Sequence, residues 1–267
     1  MIVFPNAKIN IGLRVVAKRP DGYHNLETVF FPVRLCDALE MAVTGETTLS
    51  VSGMSIDCSP DDNLILKAYH LLKKDFGLPP VKFHVHKVIP SGAGLGGGSS
   101  DAAFTLKMLN DYFDLNLGKQ RLKQYAIELG ADCPFFIEDI PMIAYGKGEK
   151  LYPIGIDLSK YQIVVVKPSF PVSTVEAFSN IIPGKSLFDL KKLPDLPINE
   201  WKRFVINDFE KTVFPKYPEI KKWKDILYDA GALFASMSGS GSAVFGIFTE
   251  LPANIYNKIP KSILLIP

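Results

Sequence analysis

An α+β fold in two lobes is the prediction for this chain, and three observations carry it. Strand periodicity dominates the early part of the sequence and helical periodicity follows, an order that suits an α+β lobe better than a doubly wound sheet. A length of 267 residues with 47% hydrophobic content is enough for one large core or two modest ones. Finally, the small-residue run Ser91-Gly92-Ala93-Gly94-Leu95-Gly96-Gly97-Gly98-Ser99-Ser100-Asp101 lies between a strand pattern and a helix pattern, whereas a linker would have polar, low-complexity flanks.

The elements follow in order. Ala7, Ile9, Ile11 and Leu13 alternate with Lys8, Asn10, Gly12 and Arg14, which predicts a strand with one apolar and one polar face and puts Lys8 and Asn10 on the same side. Asp21-Gly22 signals a turn into Tyr23-His24, and residues 28–35 return as a strand. Residues 37–43 and 48–51 read as further strands, and 62–76 as a helix. Val81 to His86 alternates as an antiparallel strand with a solvated face does. Beyond the glycines, Ala102, Ala103, Leu106, Leu109 and Phe113 keep three-four spacing, with Ser99 or Ser100 expected as the helix cap. Residues 119–129 predict a second helix ending at Gly130, after which Asp132 leads into an apolar segment at an expected helix-to-strand junction. Gly146-Lys147-Gly148-Glu149 is a turn near the end of the first lobe, and residues 163–166 open the second with a buried strand. We therefore expect lobes at 1–153 and 154–267. Residues 183–197 read as a surface excursion, and 235–242 as a second small-residue loop before an apolar strand.

Five glycines in the run, Gly92, Gly94, Gly96, Gly97 and Gly98, supply the positive-φ freedom that an anion nest requires. The helix N-terminus behind them adds amides and a dipole that favour negative charge, so the segment predicts a nucleotide phosphate site. Gly92 to Gly97 literally matches the dinucleotide fingerprint, but the preceding strand alternates, and Asp111 and Asp114 fall in or just after the helix instead of closing a second strand. No Gly-Lys-Ser/Thr follows the glycines, which excludes a Walker A loop, and the absence of His-Arg-Asp and Asp-Phe-Gly excludes a protein kinase.

A net charge of +2, from 30 basic and 28 acidic residues spread along the chain, gives no footprint for nucleic acid or membrane. Lys221-Lys222-Trp223-Lys224 reads as a solvated helix face. Cys36, Cys58 and Cys133 lie far apart without Cys-x-x-Cys spacing, which argues against disulfides and zinc. No secretory leader or bilayer-length apolar run is visible, so a cytoplasmic protein is expected. His84 and His86 share a strand face, but with no third ligand in view they read as exposed strand histidines.

Pro5-Asn6-Ala7-Lys8-Ile9-Asn10, residues 90–101 and Ser238-Gly239-Ser240-Gly241, taken together, resemble the GHMP small-molecule kinases. Within that superfamily, Asp21-Gly22-Tyr23-His24 with Thr28, and Gly130-Ala131-Asp132-Cys133-Pro134-Phe135, are similar to the branch that phosphorylates a cytidine diphosphate derivative of methylerythritol in non-mevalonate isoprenoid synthesis. The likeness spans nearly the whole chain in the same order. It implies a nucleotide-binding N-terminal lobe of ribosomal S5 domain 2 type, a ferredoxin-like C-terminal α/β sandwich lobe, a cleft between them, and transfer of the γ-phosphate of ATP, with Mg²⁺, to a C2 hydroxyl. It implies Asp132 and Lys8 as the catalytic pair, with Asn10 beside Lys8. ATP is implied on Pro90, Ser91, Gly92, Ala93, Gly94, Leu95, Gly96, Gly97, Gly98, Ser99, Ser100 and Asn63. The cytosine is implied among Tyr23, His24 and Phe178, with Thr174, Gly239 and Ser240 as further substrate contacts. Metal ligands stay unassigned, and the protein is expected to be a monomer or homodimer that binds small molecules only.

Phosphoryl transfer needs a phosphate cradle, a group on the acceptor hydroxyl and a cation near the transferred charge, and the implied residues fit those roles. Plainer readings stand beside them: Asp132 and Asn63 as helix caps, Lys8 as a solvated lysine, Tyr23 as a core aromatic at a hairpin end, and Phe178 packed inward from a helix. Departures from the family pattern are small. Ser91 and Ala93 replace further small residues, and Asp101 stands where several relatives have Asn, as a cap or as a carboxylate near Mg²⁺. The rival readings are a GHMP kinase for a sugar, homoserine or mevalonate-type alcohol, a nucleotide binder without catalysis, and an NAD-dependent oxidoreductase.

Overall fold

The computed structural model describes residues 1–55, 59, 62–185, 188–261 and 263–266, so Cys58 and part of the 183–197 excursion lie outside the described residues. The chain divides into two compact units, each discontinuous in sequence. One comprises residues 1–7, 34–91 and 96–140, the other residues 8–33, 92–95 and 141–267.

The first unit holds a sheet of β1 (Ile2–Val3), β4 (Ala38–Val43), β6 (Val81–Lys87) and β5 (Thr48–Gly53), in that spatial order. β6 is antiparallel to β4 and parallel to β5. As its alternation requires, β6 buries Val81, Phe83, Val85 and Lys87 while Lys82 and His86 face outward. Helix α1 (Leu64–Phe76) packs Tyr69 edge-on against Phe83, with ring centroids 5.9 Å apart. Its start is set by Asn63, whose Oδ1 accepts from Ile65 N at 2.9 Å, and its end by Gly77 at φ 65°. Helices α2 (Gly97–Tyr112), α3 (Lys119–Leu129) and α4 (Cys133–Glu138) complete this unit.

Two expectations need correction here. Ser99 and Ser100 do not cap α2. The helix begins at Gly97 behind Gly96, which stands at φ 74°, and Ser100 N already donates to Gly96 O at 2.9 Å within the first turn. Nor does Asp132 lead into a strand. Pro134 sits in the first turn of a helix, where its missing N–H costs nothing, so the apolar segment Cys133–Phe136 is helical.

The second unit contains a sheet in the order β2 (Asn6–Lys18), β3 (His24–Cys36), β7 (Met142–Gly146), β8 (Lys150–Pro153), with β2 and β3 running on into the first unit's residues. Gly146 to Glu149 forms the expected turn between β7 and β8. A second sheet runs β10 (Phe234–Met237), β11 (Val244–Phe248), β9 (Gln162–Val166), β12 (Leu264–Leu265), antiparallel throughout. Short helices α5 (Thr174–Phe178), α6 (Ile198–Trp201) and α7 (Glu210–Lys216) precede α8 (Pro218–Asp229), and α9 (Ile255–Lys258) follows β11. Trp223 of α8 is buried between exposed Lys222 and half-buried Lys224, which makes the lysine-rich stretch the outer side of a packed helix. The excursion is only partly superficial. Leu190 and Leu193, on a 3₁₀ turn (Leu190–Asp195), are buried, and Leu190 lies against Gly12 closely enough to crowd a Cβ there, at 3.2 Å.

Candidate active site

β2 carries the site's cation. Its apolar residues Ala7, Ile9, Ile11 and Leu13 are buried, but so are Lys8, 3% exposed, and Asn10, 1% exposed. A solvated lysine is therefore ruled out. An ammonium this far from water needs partners, and Lys8 Nζ donates to Asn10 Oδ1 at 2.6 Å and lies 5.0 Å from the centroid of the Phe30 ring. Asn10 Nδ2 donates in turn to Thr28 Oγ1 at 2.9 Å, and Thr28 Oγ1 to Gly12 O at 2.5 Å. This relay fixes the amide orientation of Asn10 and, through it, Lys8.

The glycine run is pinned by its carbonyls. Ala93 O accepts from Ala243 N at 3.1 Å, Gly94 O from Ser238 Oγ at 2.8 Å, and Leu95 O from Lys8 N at 2.9 Å. In a trans peptide the N–H points opposite to the carbonyl of the preceding residue. The amides of Gly94, Leu95 and Gly96 therefore point away from the body to which those carbonyls are bonded, as an anion cradle requires. Gly94, at φ 76°, admits no side chain, because a Cβ would sit 2.0 Å from Ser238 O. Gly97 is confined as well, its Cβ position lying 2.8 Å from Ile89. No side chain caps α2, which leaves its first-turn amides for a ligand. Of the remaining implied ATP residues, Pro90 is buried, Ser91 and Gly98 are exposed, and Ser99 is half-buried. Asn63 does cap α1, as its plainer reading had it.

Asp132 is half-buried at the start of α4 and makes no side-chain capping bond to that helix. The neighbouring Cys133 thiol is pushed up to about 12, chiefly by burial, and so is inert at neutral pH.

The aromatic residues divide into two groups. His24 and Phe178 stack with centroids 4.8 Å apart and planes 18° apart, and Phe209 meets Phe178 edge-on at 4.7 Å. Tyr23 is 60% exposed, which excludes a core role, and its ring lies 4.5 Å from Lys147 Nζ. Thr174 Oγ1 and Ser240 Oγ are 3.2 Å apart, while a Cβ on Gly239 would lie 3.3 Å from Gly94 Cα.

Two buried polar groupings escaped the sequence reading. Lys87, at the end of β6, pairs with both Asp37 and Asp101, its Nζ lying 2.6 Å from Asp101 Oδ2, and all three side chains are almost fully buried. Asp37 Oδ1 also accepts from Val88 N and Ile89 N, at 2.6 and 2.8 Å. Asp101 is thus neither a cap nor a surface carboxylate. Burial, reinforced by nearby Asp37 and opposed by Lys87, pushes its carboxyl up to about 7. Lys87 shares the buried parity of Val81, Phe83 and Val85, and that was the available signal. The second grouping is Asn207 to Glu210, whose partners lie far along the chain. His84 and His86, by contrast, bond Ser50 and Ser52 on the outer side of the sheet, and no group of three or more His, Cys, Asp or Glu among the described residues is arranged to hold a metal. No helix among the described residues is long and apolar enough to cross a membrane.

Comparison with known proteins agrees with this geometry. Residues 63–147 match the GHMP kinases N terminal domain and residues 196–263 the GHMP kinases C terminal family. A protein of Bacteroides thetaiotaomicron named 4-diphosphocytidyl-2-C-methyl-D-erythritol kinase is 55% identical over 252 residues, covering 93% of this chain and 92% of that protein. One of the same name from Parabacteroides distasonis is 49% identical over 250 residues, covering 94% and 92%. A solved 4-(cytidine 5'-diphospho)-2C-methyl-D-erythritol kinase superposes with a TM-score of 0.81 at 32% identity, covering 97% of this chain and 93% of that one.

Proposed function

We propose, for a chain that belongs to the GHMP kinases, that it transfers the γ-phosphate of ATP to the C2 hydroxyl of 4-diphosphocytidyl-2-C-methyl-D-erythritol, giving the 2-phosphate and ADP in non-mevalonate isoprenoid precursor synthesis. The observation that carries the kinase reading is the pinning of three consecutive loop carbonyls, one of them by the backbone of Lys8 itself, which turns successive amides toward a phosphate. The substrate assignment rests on the likeness to the Bacteroides protein and on an aromatic group suited to a pyrimidine. In this reading residues 1–153 form the nucleotide lobe and 154–267 the substrate lobe, and the protein works in the cytoplasm as a monomer or homodimer.

Each residue takes a role from its surroundings. The amides of residues 94–96 and the first turn of α2 bind the phosphates, with Asn63 and the rest of 90–100 shaping the nucleotide site. Lys8, held by Asn10, offsets charge on the transferred group. Asp132 orients the hydroxyl and takes its proton. Tyr23, His24 and Phe178 hold the cytosine, with Thr174, Gly239 and Ser240 beside them. Mg²⁺ bound with the phosphates of ATP would offset their negative charge, and no residue of this chain is assigned as its ligand.

An ADP-release assay across alcohols tests the assignment. Turnover is expected with the cytidine diphosphate derivative and not with methylerythritol phosphate, homoserine or mevalonate; equal turnover of the first two would refute it. Within that assay, Tyr23→Ala is expected to raise KM for the cytidyl alcohol by about 5- to 150-fold, from a stacking energy of about 1–3 kcal/mol per base, with kcat near wild type. An unchanged KM would remove Tyr23 from the binding site.

A further inference from the structure

We propose that the segment Asn207 to Glu210 is the common support on which the small-residue loop and the aromatic base platform are positioned, with Asn207 serving the phosphate-handling side and Phe209 the base side. The inference rests on the kinase reading above.

Asn207 is almost completely buried, and every polar atom of its amide is in use. Its Nδ2 donates to Met237 O and to Gly239 O, both at 2.8 Å, and its Oδ1 accepts from Phe209 N at 3.0 Å. The two carbonyls it grips flank Ser238. That residue accepts from Asn10 N at 3.2 Å and donates to Gly94 O at 2.8 Å, so its hydroxyl joins the strand of Lys8 to the phosphate loop. A planar amide with two donors is the one short side chain that meets two carbonyls and still presents an acceptor to the backbone behind it. The segment is itself anchored on β2, since Leu13 N donates to Ile206 O at 3.0 Å, Asp208 N to Leu13 O at 2.8 Å, and Val15 N to Asp208 Oδ2 at 3.0 Å. Glu210 Oε1 adds a second hold, accepting from Met237 N at 2.9 Å and Ser236 Oγ at 3.1 Å.

Phe209 faces the other way. Its ring meets Phe178 edge-on, and Phe178 stacks on His24, so the backbone that places Asn207 also places the floor of the aromatic pair. Asn207 and Phe209 touch none of the reacting atoms. They are positioning residues joined through the Phe209 N to Asn207 Oδ1 bond, but their side chains reach different groups, and those different contacts predict different kinetic defects.

Asn207→Leu keeps the branching and heavy-atom count of the side chain, with methyl groups bulkier than the amide atoms, and removes both donors together with the acceptor for Phe209 N. It is expected to lower kcat by about 10- to 100-fold, the scale set by displacing a reacting group by about an ångström, and to raise KM for ATP, with KM for the cytidyl alcohol within about twofold. Phe209→Ala is expected to do the converse, raising KM for the cytidyl alcohol about 5- to 20-fold and leaving KM for ATP and kcat within about twofold. A merely structural role would depress folded protein alike in both variants and would not split the parameters. Matching losses that track thermal stability would overturn the proposal. If Asn207→Leu does not fold, Asn207→Ser carries the same split in weaker form, and an Asn207→Ser protein with wild-type kinetics would overturn it as well. Calorimetric titration of ATP into wild type and Asn207→Ser needs no alcohol. Should wild type fail on the cytidyl substrate, weaker ATP binding by the variant still supports the positioning role, and equal binding refutes it.

Discussion

Asp132→Asn is expected to lower kcat by about 10²- to 10⁴-fold, or roughly 3–5.5 kcal/mol in barrier, with the affinity for ATP near the wild-type value. The substitution keeps the shape and reach of the side chain and removes its negative charge and its capacity to take a proton. Because the carboxylate makes no capping bond to α4, its loss leaves the helix start intact, and a kinetic defect cannot be assigned to a lost cap. Transition states of phosphoryl transfer are largely dissociative, so a hydroxyl can be phosphorylated with little prior deprotonation. Single-turnover rates decide the matter. A fall of only a few-fold would reduce Asp132 to orienting the hydroxyl, and Lys8→Ala, which removes a buried cation, would then be the variant with the large loss.

Lys87→Met is expected to destabilise the protein by about 3–5 kcal/mol, the usual cost of removing one partner from a buried ion pair. The substitution leaves Asp37 and Asp101 without their cation in a site closed to water. If uncompensated charge is the cause, adding Asp37→Asn and Asp101→Asn to Lys87→Met recovers much of the loss. The pH dependence has a definite sign. In wild type the Asp101 carboxyl is raised from 3.8 to about 7, so the folded state binds its proton more tightly than the unfolded state does. Its contribution is fully present below pH 4 and is lost as pH rises to about 7. Urea melts between pH 4 and 8 are expected to show wild type losing stability relative to Asp101→Asn across that interval. A constant difference would mean that Asp101 is ionised throughout.

Much of this was legible in advance where the chain speaks locally. The alternation of residues 7–14 and 81–86 marked β2 and β6, and the glycine run marked the phosphate loop, because periodicity and backbone freedom are properties of neighbouring residues. The errors arose where a neighbour decides the conformation. The start of α2 moved back to Gly97 because Gly96 takes a left-handed turn, and Cys133–Phe136 became helical although its composition allows a strand. Burial on both faces of β2 could not be read from Lys8 and Asn10, whose polar character suggested water. Lys87 with Asp37, and Asn207 with Met237, are pairs 50 and 30 residues apart, and no local pattern in the chain announces them.

Phosphorus NMR of the reaction product tests the central assignment most directly. In the proposed substrate C2 bears a methyl group and no hydrogen, so a phosphate placed there has no proton three bonds away. Incubation of the protein with ATP and 4-diphosphocytidyl-2-C-methyl-D-erythritol is expected to give ADP and a new phosphomonoester resonance that stays a singlet without proton decoupling. A triplet from a neighbouring CH₂, a doublet from a CH, or ADP formation with no new monoester would contradict it.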